Sequence, residues 1–185
     1  MKTQKRVIKF LERKEVEKLI DSIEGEGYRN TRDRALIEVL WETGLRIAEA
    51  LALPDAIFTK EVTKDTLELS IIGKGGWART VYFSPRVVRA IKAYLATRKD
   101  SDTRLFPFTI RCAQQIVARR VKLAGIEKRV TPHTFRHSFG THILRKGANL
   151  RLAQEMLGHR SITSTQVYTH ITSPELKAAH KRFFG

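Results

Sequence analysis

The chain has 185 residues, of which 42% are hydrophobic, which is enough for one domain with a core but too little for two large ones. Its formal net charge of +16 favours a polyanionic partner over a merely solvated basic surface, because each neutralised phosphate releases a counterion. Charge alone does not separate a DNA enzyme from an RNA-binding protein. The single cysteine, Cys112, excludes a disulfide framework and a cysteine-based zinc site.

The first fifteen residues, MKTQKRVIKFLERKE, are charged throughout and lack the apolar region of a signal peptide. No apolar run in the sequence is long enough to cross a bilayer. We therefore expect a cytoplasmic protein that has no membrane partner.

The first part of the chain predicts short helices. Val16, Leu19 and Ile20 recur at helical spacing, and residues 31–42 carry the apolar positions of a buried helix. The helical pattern resumes over residues 46–53 and ends at the following proline.

The middle of the chain changes to the period of β-strands. Leu67, Leu69 and Ile71 alternate with polar residues, and Ala78–Phe83 is rich in strand-forming residues. Together with residues 56–59 (AIFT), these segments predict a small antiparallel sheet of about three strands. The fold class is therefore mainly α, in an α+β arrangement.

Two amphipathic helices are predicted next, one after Ser84-Pro85 and one over residues 111–123. The exposed side of the second helix carries three cations, Arg119, Arg120 and Lys122. Such a charged face is either simply solvated or faces DNA, and both interpretations stay open.

The last third predicts three or four further helices. Thr131-Pro132 is a helix start, and the next residues place Phe135, Phe139 and Ile143 on one apolar stripe. Gly147 and Gly158 end successive helices, and Asn149 can cap the start of the second one. A short helix over residues 161–168 and a tail helix over residues 174–185 complete the prediction.

Several cations and imidazoles suit attack on a phosphodiester. Arg46 and Arg136 are the candidates for binding the nonbridging oxygens, because a planar guanidinium meets two of them with paired hydrogen bonds. Lys74, in a glycine-rich turn, is the candidate general acid, although an ordinary polar hairpin tip is also compatible. Glu49, one helical turn after Arg46, either orients a catalytic group or forms an exposed ion pair with Arg46.

Tyr168 is the candidate nucleophile. A phenol needs nearby positive charge or a base to react, and His133 and His159 suit that role. His133 and His137 have the spacing of helical zinc ligands, but the residue after His133 is not a glutamate and no third ligand is obvious, so we predict no metal.

These motifs, taken in order, resemble the catalytic domain of the tyrosine recombinases, the phage-integrase family. TGLRIAEAL, GKG, PHTFRHSFGTH and LGHRSITSTQVYTH look closest to the Xer branch, and the resemblance covers nearly the whole chain. It implies a helical domain with a small sheet and the catalytic set Arg46, Lys74, His133, Arg136, His159 and Tyr168, with Glu49 in support.

The resemblance also implies the chemistry. Tyr168 would form a 3′-phosphotyrosyl link with double-stranded DNA and release a 5′-hydroxyl, and no cofactor would be needed. Family members often carry a second basic residue in the turn, at the position where this chain has Trp77. The next basic position of the family is filled here by Arg79, which is a DNA-binding candidate.

The resemblance further implies an assembly and a cellular place. Family members assemble as tetramers on paired DNA sites, and the tail helix, residues 174–185, is often exchanged between protomers. We expect a monomer when free and a nucleoid-associated protein. We expect residues 1–185 to form one catalytic domain without the family's N-terminal core-binding domain.

Three alternatives remain at this stage: a type IB topoisomerase, which uses a similar residue set, a noncatalytic DNA-binding regulator with this fold, and a basic RNA-binding protein. The sequence does not give the DNA target site, the biological task, accessory proteins, or whether cleavage occurs in cis or in trans. It also leaves open whether the chain is a fragment or a naturally short recombinase.

Overall fold

The computed structural model describes residues 10–59, 66–73, 78–158 and 173–184. This part of the chain contains eight α-helices and one two-stranded antiparallel sheet, which confirms the predicted class. In chain order the elements are α1 Arg13–Asp21, α2 Tyr28–Thr43, α3 Ile47–Leu51, β1 Leu67–Ile72, β2 Ala78–Phe83, α4 Pro85–Thr97, α5 Ile110–Leu123, α6 Pro132–Arg145, α7 Leu150–Leu157 and α8 Ser173–Phe184. Among the described helices, none combines the length and apolar character needed to cross a bilayer.

Helix α2 is the centre of the core. Every residue from Ala35 to Thr43 is buried, and the helix contacts α4, α5, α6 and β2. Because all of its faces are covered, its acidic residues Glu38 and Glu42 are buried along with its apolar ones. The predicted buried helix over residues 31–42 is confirmed.

The sheet consists of β1 and β2 in antiparallel register, with Leu67 opposite Phe83 and Ile72 opposite Ala78. The end of β2 is buried, whereas β1 alternates between half-buried and exposed residues. This alternation is the one that the sequence predicts for residues 67–71.

The expected third strand at residues 56–59 is wrong, because Asp55–Phe58 forms a 3₁₀ turn. The backbone just before it is engaged elsewhere: Asp55 N–H donates to the carbonyl of Thr103 at 2.9 Å, and Leu105 N–H donates to that of Leu53 at 2.6 Å. The segment therefore contacts the core through the side chain of Phe58, whose ring centroid lies 5.2 Å from that of Phe83.

Helix starts fall where the capping residues predict them. Ser84 Oγ accepts from Val87 N–H at the start of α4, and Asn149 Oδ1 accepts from Leu152 N–H at 2.7 Å at the start of α7. Thr131 caps α6 in the same way. The stripe of Phe135, Phe139 and Ile143 is buried, as expected.

The tail helix α8 folds back onto the same chain. Phe183 is buried, and the Phe184 ring stacks on Phe139 with centroids 5.4 Å apart. His180 is buried against Tyr82 of β2. The helix predicted for residues 161–168 lies outside the described residues.

A buried carboxylate, Asp33 of α2, binds most of the cations predicted to be on the exposed side of α5. Arg120 Nε donates to Asp33 Oδ2 at 2.7 Å, and Arg119 donates to the same oxygen at 2.5 Å. The expected exposure of Arg120 is therefore wrong, because a fully buried carboxylate requires donors that are buried with it. Arg119 is half-exposed, and Lys122 is exposed.

Candidate active site

Five residues of the predicted site lie in the described part of the chain. They are Arg46, Glu49, Arg79, His133 and Arg136. The predicted general acid Lys74, the second histidine His159, the nucleophile Tyr168 and the adjacent Trp77 lie outside it.

Glu49 connects two arginines from different elements. Its carboxylate accepts from Arg46 Nη1 at 3.0 Å and from the Arg46 backbone N–H at 2.8 Å, across the first turn of α3. Arg79, at the start of β2, donates to both oxygens, at 3.1 and 2.7 Å. The Glu49 side chain is only 11% exposed, so the prediction of an exposed ion pair is wrong.

The charge of Glu49 is held in place by these donors. Burial alone would raise the pKa of the carboxyl, but the hydrogen bonds from Arg79 and from the Arg46 backbone outweigh burial and lower that pKa to about 2. Glu49 is therefore a carboxylate at neutral and mildly acidic pH. It can orient guanidinium groups but cannot serve as a proton donor.

Arg136 is buried on α6, and its partners among the described residues are backbone carbonyls. Its Nη1 donates to the carbonyl of Gly44 at 2.6 Å, and its Nη2 donates to that of Leu157, the last residue of α7. Gly44 has φ +59°, and a Cβ there would lie 2.6 Å from Phe139 Cδ1. Only glycine fits this close approach, which fixes the carbonyl that Arg136 uses.

No carboxylate of the described residues lies within ion-pair distance of Arg136. Burial lowers the pKa of its guanidinium to about 10, and the nearby positive charges of Arg46 and Arg79 add to this effect, while Glu49 opposes it. Arg136 remains charged at neutral pH. A buried cation without a carboxylate, facing two other cations, is a site prepared for an anion.

Arg79 also contacts the end of α7. Gly158 closes that helix with φ +63°, and a Cβ built there would lie 2.7 Å from Arg79 Cδ. The side chain of Arg79 is 8% exposed, since it lies between Glu49 and Gly158. Arg79 therefore points inward, and its role as a DNA-binding residue stays a prediction.

His133 is exposed in the first turn of α6, one turn before Arg136. The same helix therefore supplies an exposed imidazole and a buried guanidinium. No contact joins the two side chains, so their common orientation stays a prediction.

The described site thus contains three guanidinium groups and one carboxylate, with a net charge of about +2. Paired N–H donors of this kind bind the nonbridging oxygens of a phosphodiester and stabilise the charge that builds on them during attack. No cluster of three or more histidine, cysteine or acidic side chains capable of holding a metal occurs in the described part of the chain.

Sequence reasoning missed two features of this site. The partner of Glu49 is Arg79 as well as Arg46, and the only available signal was that a basic residue follows the glycine-rich turn. The carbonyls of Gly44 and Leu157 carry no sequence signal, apart from the glycines that end α2 and α7.

Comparison with known proteins places these motifs in a family. The model of the phage integrase family matches residues 9–175. The tyrosine recombinase XerD of Corynebacterium glutamicum is 40% identical over 166 residues, which cover 82% of this chain and 53% of that protein.

Two solved structures share the fold. The crystal structure of XerA recombinase matches with a TM-score of 0.70 and 29% identity, over 96% of this chain and 65% of that one. XerH site-specific recombinase, bound to a palindromic difH substrate in a post-cleavage complex, matches with a TM-score of 0.72 and 30% identity, over 86% of this chain and 49% of that one. The chain therefore spans about half to two thirds of the length of the proteins it resembles.

Proposed function

Because this chain belongs to the phage integrase family and is similar to its Xer branch, we propose that it cleaves and rejoins DNA as the catalytic domain of a site-specific recombinase. The observation that carries the proposal is the buried Arg136, which has no carboxylate partner among the described residues and lies near Arg46 and Arg79. A phosphodiester supplies the anion that this arrangement lacks.

The proposed step is a transesterification. The Tyr168 phenolate oxygen forms a bond to phosphorus, and the bond from phosphorus to the 5′-oxygen breaks. A 3′-phosphotyrosyl link remains, and the released 5′-oxygen takes a proton from Lys74. A 5′-hydroxyl then reverses the step, so the bond energy is retained and no cofactor is consumed.

The other residues stabilise the charge during this step. Arg46 and Arg136 bind the nonbridging oxygens, His159 adds a hydrogen bond, and His133 acts as an acid or base. One well-placed donor contributes about 3–4 kcal/mol to such a transition state, so several donors together can replace much of what a metal ion supplies. Glu49 contributes by orienting the arginines.

The proposed partner is double-stranded DNA, bound by a tetramer on paired sites. A DNA substrate would place this action in the cytoplasm, at the nucleoid. The tail helix supports a monomeric free state, because α8 already covers its apolar face on its own chain.

Covalent trapping tests the proposal. The protein and its Tyr168→Phe variant are incubated at low salt with a pool of duplexes that carry random sequence and a nick, from which the short cleaved strand diffuses away. A denaturing gel then reports the covalent adduct. We expect an adduct with the wild type alone, and we expect it to form equally well in excess EDTA.

Three outcomes would count against the proposal in different ways. An adduct with Tyr168→Phe would exclude Tyr168 as the nucleophile. Loss of the adduct in EDTA that magnesium restores would exclude metal-free chemistry. DNA binding without any adduct would favour a noncatalytic DNA-binding module.

A further inference from the structure

We propose that Arg79 is a positioning residue, which holds Glu49, and through it Arg46, against the end of α7 that precedes His159. This inference rests on the proposed function, because it assigns Arg79 a role in the same strand-cleavage site. It also replaces the DNA-binding role that the sequence analysis gives to this residue.

The first support is the geometry of the ion pair. Arg79 meets both oxygens of Glu49, at 3.1 and 2.7 Å, and both side chains are about nine-tenths buried. A two-point contact between planar groups fixes orientation as well as distance. Glu49 also accepts hydrogen bonds from the Arg46 backbone N–H and from Arg46 Nη1. By fixing Glu49, Arg79 therefore also orients Arg46.

The second support is the contact with Gly158. A Cβ built on residue 158 would lie only 2.7 Å from Arg79 Cδ. The aliphatic part of the Arg79 side chain therefore packs directly against Gly158. The next residue in the chain is His159, a predicted catalytic residue. Arg79 therefore ties the end of α7 to the Glu49 carboxylate.

The third support is the place of Arg79 in the chain. It is the second residue of β2, and residues 74–77, which include Lys74, come directly before that strand. One side chain thus joins the start of α3, the start of β2 and the end of α7. The first follows Arg46 directly, and the other two adjoin in sequence the stretches that carry Lys74 and His159. Misplacement of a catalytic group by about 1 Å can cost about 100-fold in rate.

A competing role is direct contact with the phosphate. Arg79 Nε is buried and has no hydrogen-bond partner within the described residues. If that group bound DNA, Arg79 would contribute to affinity and to its salt dependence, since each phosphate contact adds about 0.9 to the slope of log K against log salt. A positioning residue leaves both unchanged and alters the rate of cleavage alone.

The test compares Arg79→Ala and Arg79→Lys with the wild type in single-turnover trapping on the nicked duplex pool. Anisotropy measures the affinity for a random-sequence duplex at several salt concentrations. We expect a 10- to 100-fold lower rate of adduct formation for Arg79→Ala, with unchanged affinity and salt slope. Arg79→Lys should behave like alanine, because a lysine cannot make the two-point contact.

A double-mutant cycle with Glu49→Gln adds a second readout. If Arg79 acts through Glu49, the double variant should cleave no more slowly than the slower single variant. Independent, multiplying losses would overturn the proposal, because they would mean that Arg79 acts by another route.

Matched controls separate this role from a loss of stability. Arg98→Ala removes an equally buried arginine, 5% exposed, whose carboxylate partners are Asp55 and Asp100, and should leave the rate per folded molecule unchanged.

Gly158→Ala should slow cleavage more than Gly125→Ala. Both glycines have φ +63°, but a Cβ at residue 125 meets only Lys18 Nζ, at 3.6 Å.

The outcomes distinguish this inference from the function on which it rests. No adduct with the wild type would overturn the proposed recombinase activity, and the role of Arg79 with it. An adduct that forms equally fast with the wild type and Arg79→Ala would overturn the role of Arg79 alone. A lower salt slope in Arg79→Ala would assign the residue to DNA contact instead.

Discussion

Two arginines of this chain are buried to nearly the same extent but have different environments. Arg120 is 8% exposed and bonds the carboxylate of Asp33, whereas Arg136 is 6% exposed and bonds carbonyls alone within the described part of the chain. A buried guanidinium that already has its counterion stabilises the fold and has little to offer a ligand. One that has no counterion keeps its positive charge for a bound anion, at a cost in stability.

The residues that carry the proposed chemistry could be identified from the sequence, because each stands in a short motif with a chemical rationale. Arg46 and Glu49 share one helical turn, and their contact follows from that spacing. The orientation of Arg79 could not be predicted, since it depends on Glu49, thirty residues earlier, and on Gly158 at the end of another helix. Those neighbours exist only once the fold has formed.

Glu42 of α2 supports a prediction about pH and stability. Burial raises the pKa of this carboxyl to about 7, and the neighbouring Glu38 adds to the rise, while Ser84 and Arg86 oppose it. The unfolded chain therefore loses this proton at lower pH than the folded one. The corresponding stability is complete below about pH 4.5 and is lost as the pH rises to about 7.

Glutamine cannot ionise, so Glu42→Gln should remove the loss of stability that the wild type shows as the pH rises to about 7. We expect the free energy of unfolding of the variant, relative to the wild type, to increase by roughly 3 kcal/mol between pH 4.5 and pH 7.5. Urea unfolding followed by circular dichroism at both pH values measures it. Glu17→Gln, which removes a carboxylate from an exposed pair on α1, is the control and should change by less than about 1 kcal/mol. Equal shifts in the two variants would contradict the burial of an ionisable Glu42.

At the scale of elements, capping residues predicted the boundaries that local chemistry decides. Ser84, Thr131 and Asn149 each begin a helix in the structure, because a side-chain oxygen satisfies a free N–H of the first turn. Residues 56–59 were predicted wrongly because the backbone that leads into them, at Leu53 and Asp55, bonds residues 103–105, and the chain then forms a 3₁₀ turn. Local propensity contains no information about such distant partners.

The tail helix α8 should detach in acid before the rest of the fold. His180 bonds the carbonyl of Glu42 and contacts the rings of Tyr82 and Phe184. Burial lowers the pKa of His180 to about 4, which the bond to Glu42 opposes only in part. Docking is therefore fully stable above about pH 6.5 and is lost as the pH falls towards 4.

A second histidine acts in the same direction. The ring of His142 contacts Phe184, and burial lowers the pKa of this imidazole. The nearby charges of Arg13 and Lys146 lower the pKa further. The hydrogen bond to the Phe183 carbonyl and the charge of Glu12 oppose this decrease. Protonation of His142 or His180 places a positive charge in the buried contact between α8 and the rest of the described chain. No carboxylate among the described residues forms an ion pair with either imidazole.

Fluorescence of Trp41 can follow the detachment of α8, because its ring lies 5.7 Å from that of Phe184. The background Trp77→Phe, Glu42→Gln leaves Trp41 as the single tryptophan and removes the titration of Glu42. We expect a transition between pH 6.5 and pH 4, shifted to lower pH by His180→Phe. His137→Phe, which removes an imidazole that contacts Phe10, should leave the midpoint unchanged. A midpoint that His180→Phe does not move would contradict this role of His180.

The whole molecule carries a charge of +16, but internal pairing reduces the number of cations that can meet DNA. Arg120 is buried on Asp33, and Arg104 bonds Asp102. Lys122 is exposed at the end of α5 and lines an open groove of about 540 Å³, whose other lining residues include Lys128, Arg129 and Val130 in the connection to α6. Because this connection leads directly into α6, which carries His133, we expect phosphates that flank the reacting one to lie along the groove.

Lys122→Gln should therefore weaken binding to a random-sequence duplex and lower the slope of log K against log salt by about 0.9, which corresponds to one lost phosphate contact. Arg104→Gln is the matched control, because it reduces the net charge by the same amount at a residue that is exposed and paired with Asp102. Its slope should equal that of the wild type. Anisotropy titrations between about 50 and 200 mM salt resolve the difference, since affinity falls steeply over that range. If the two variants lose the same slope, then net charge and not the groove determines binding, and the DNA-facing interpretation of α5 is wrong.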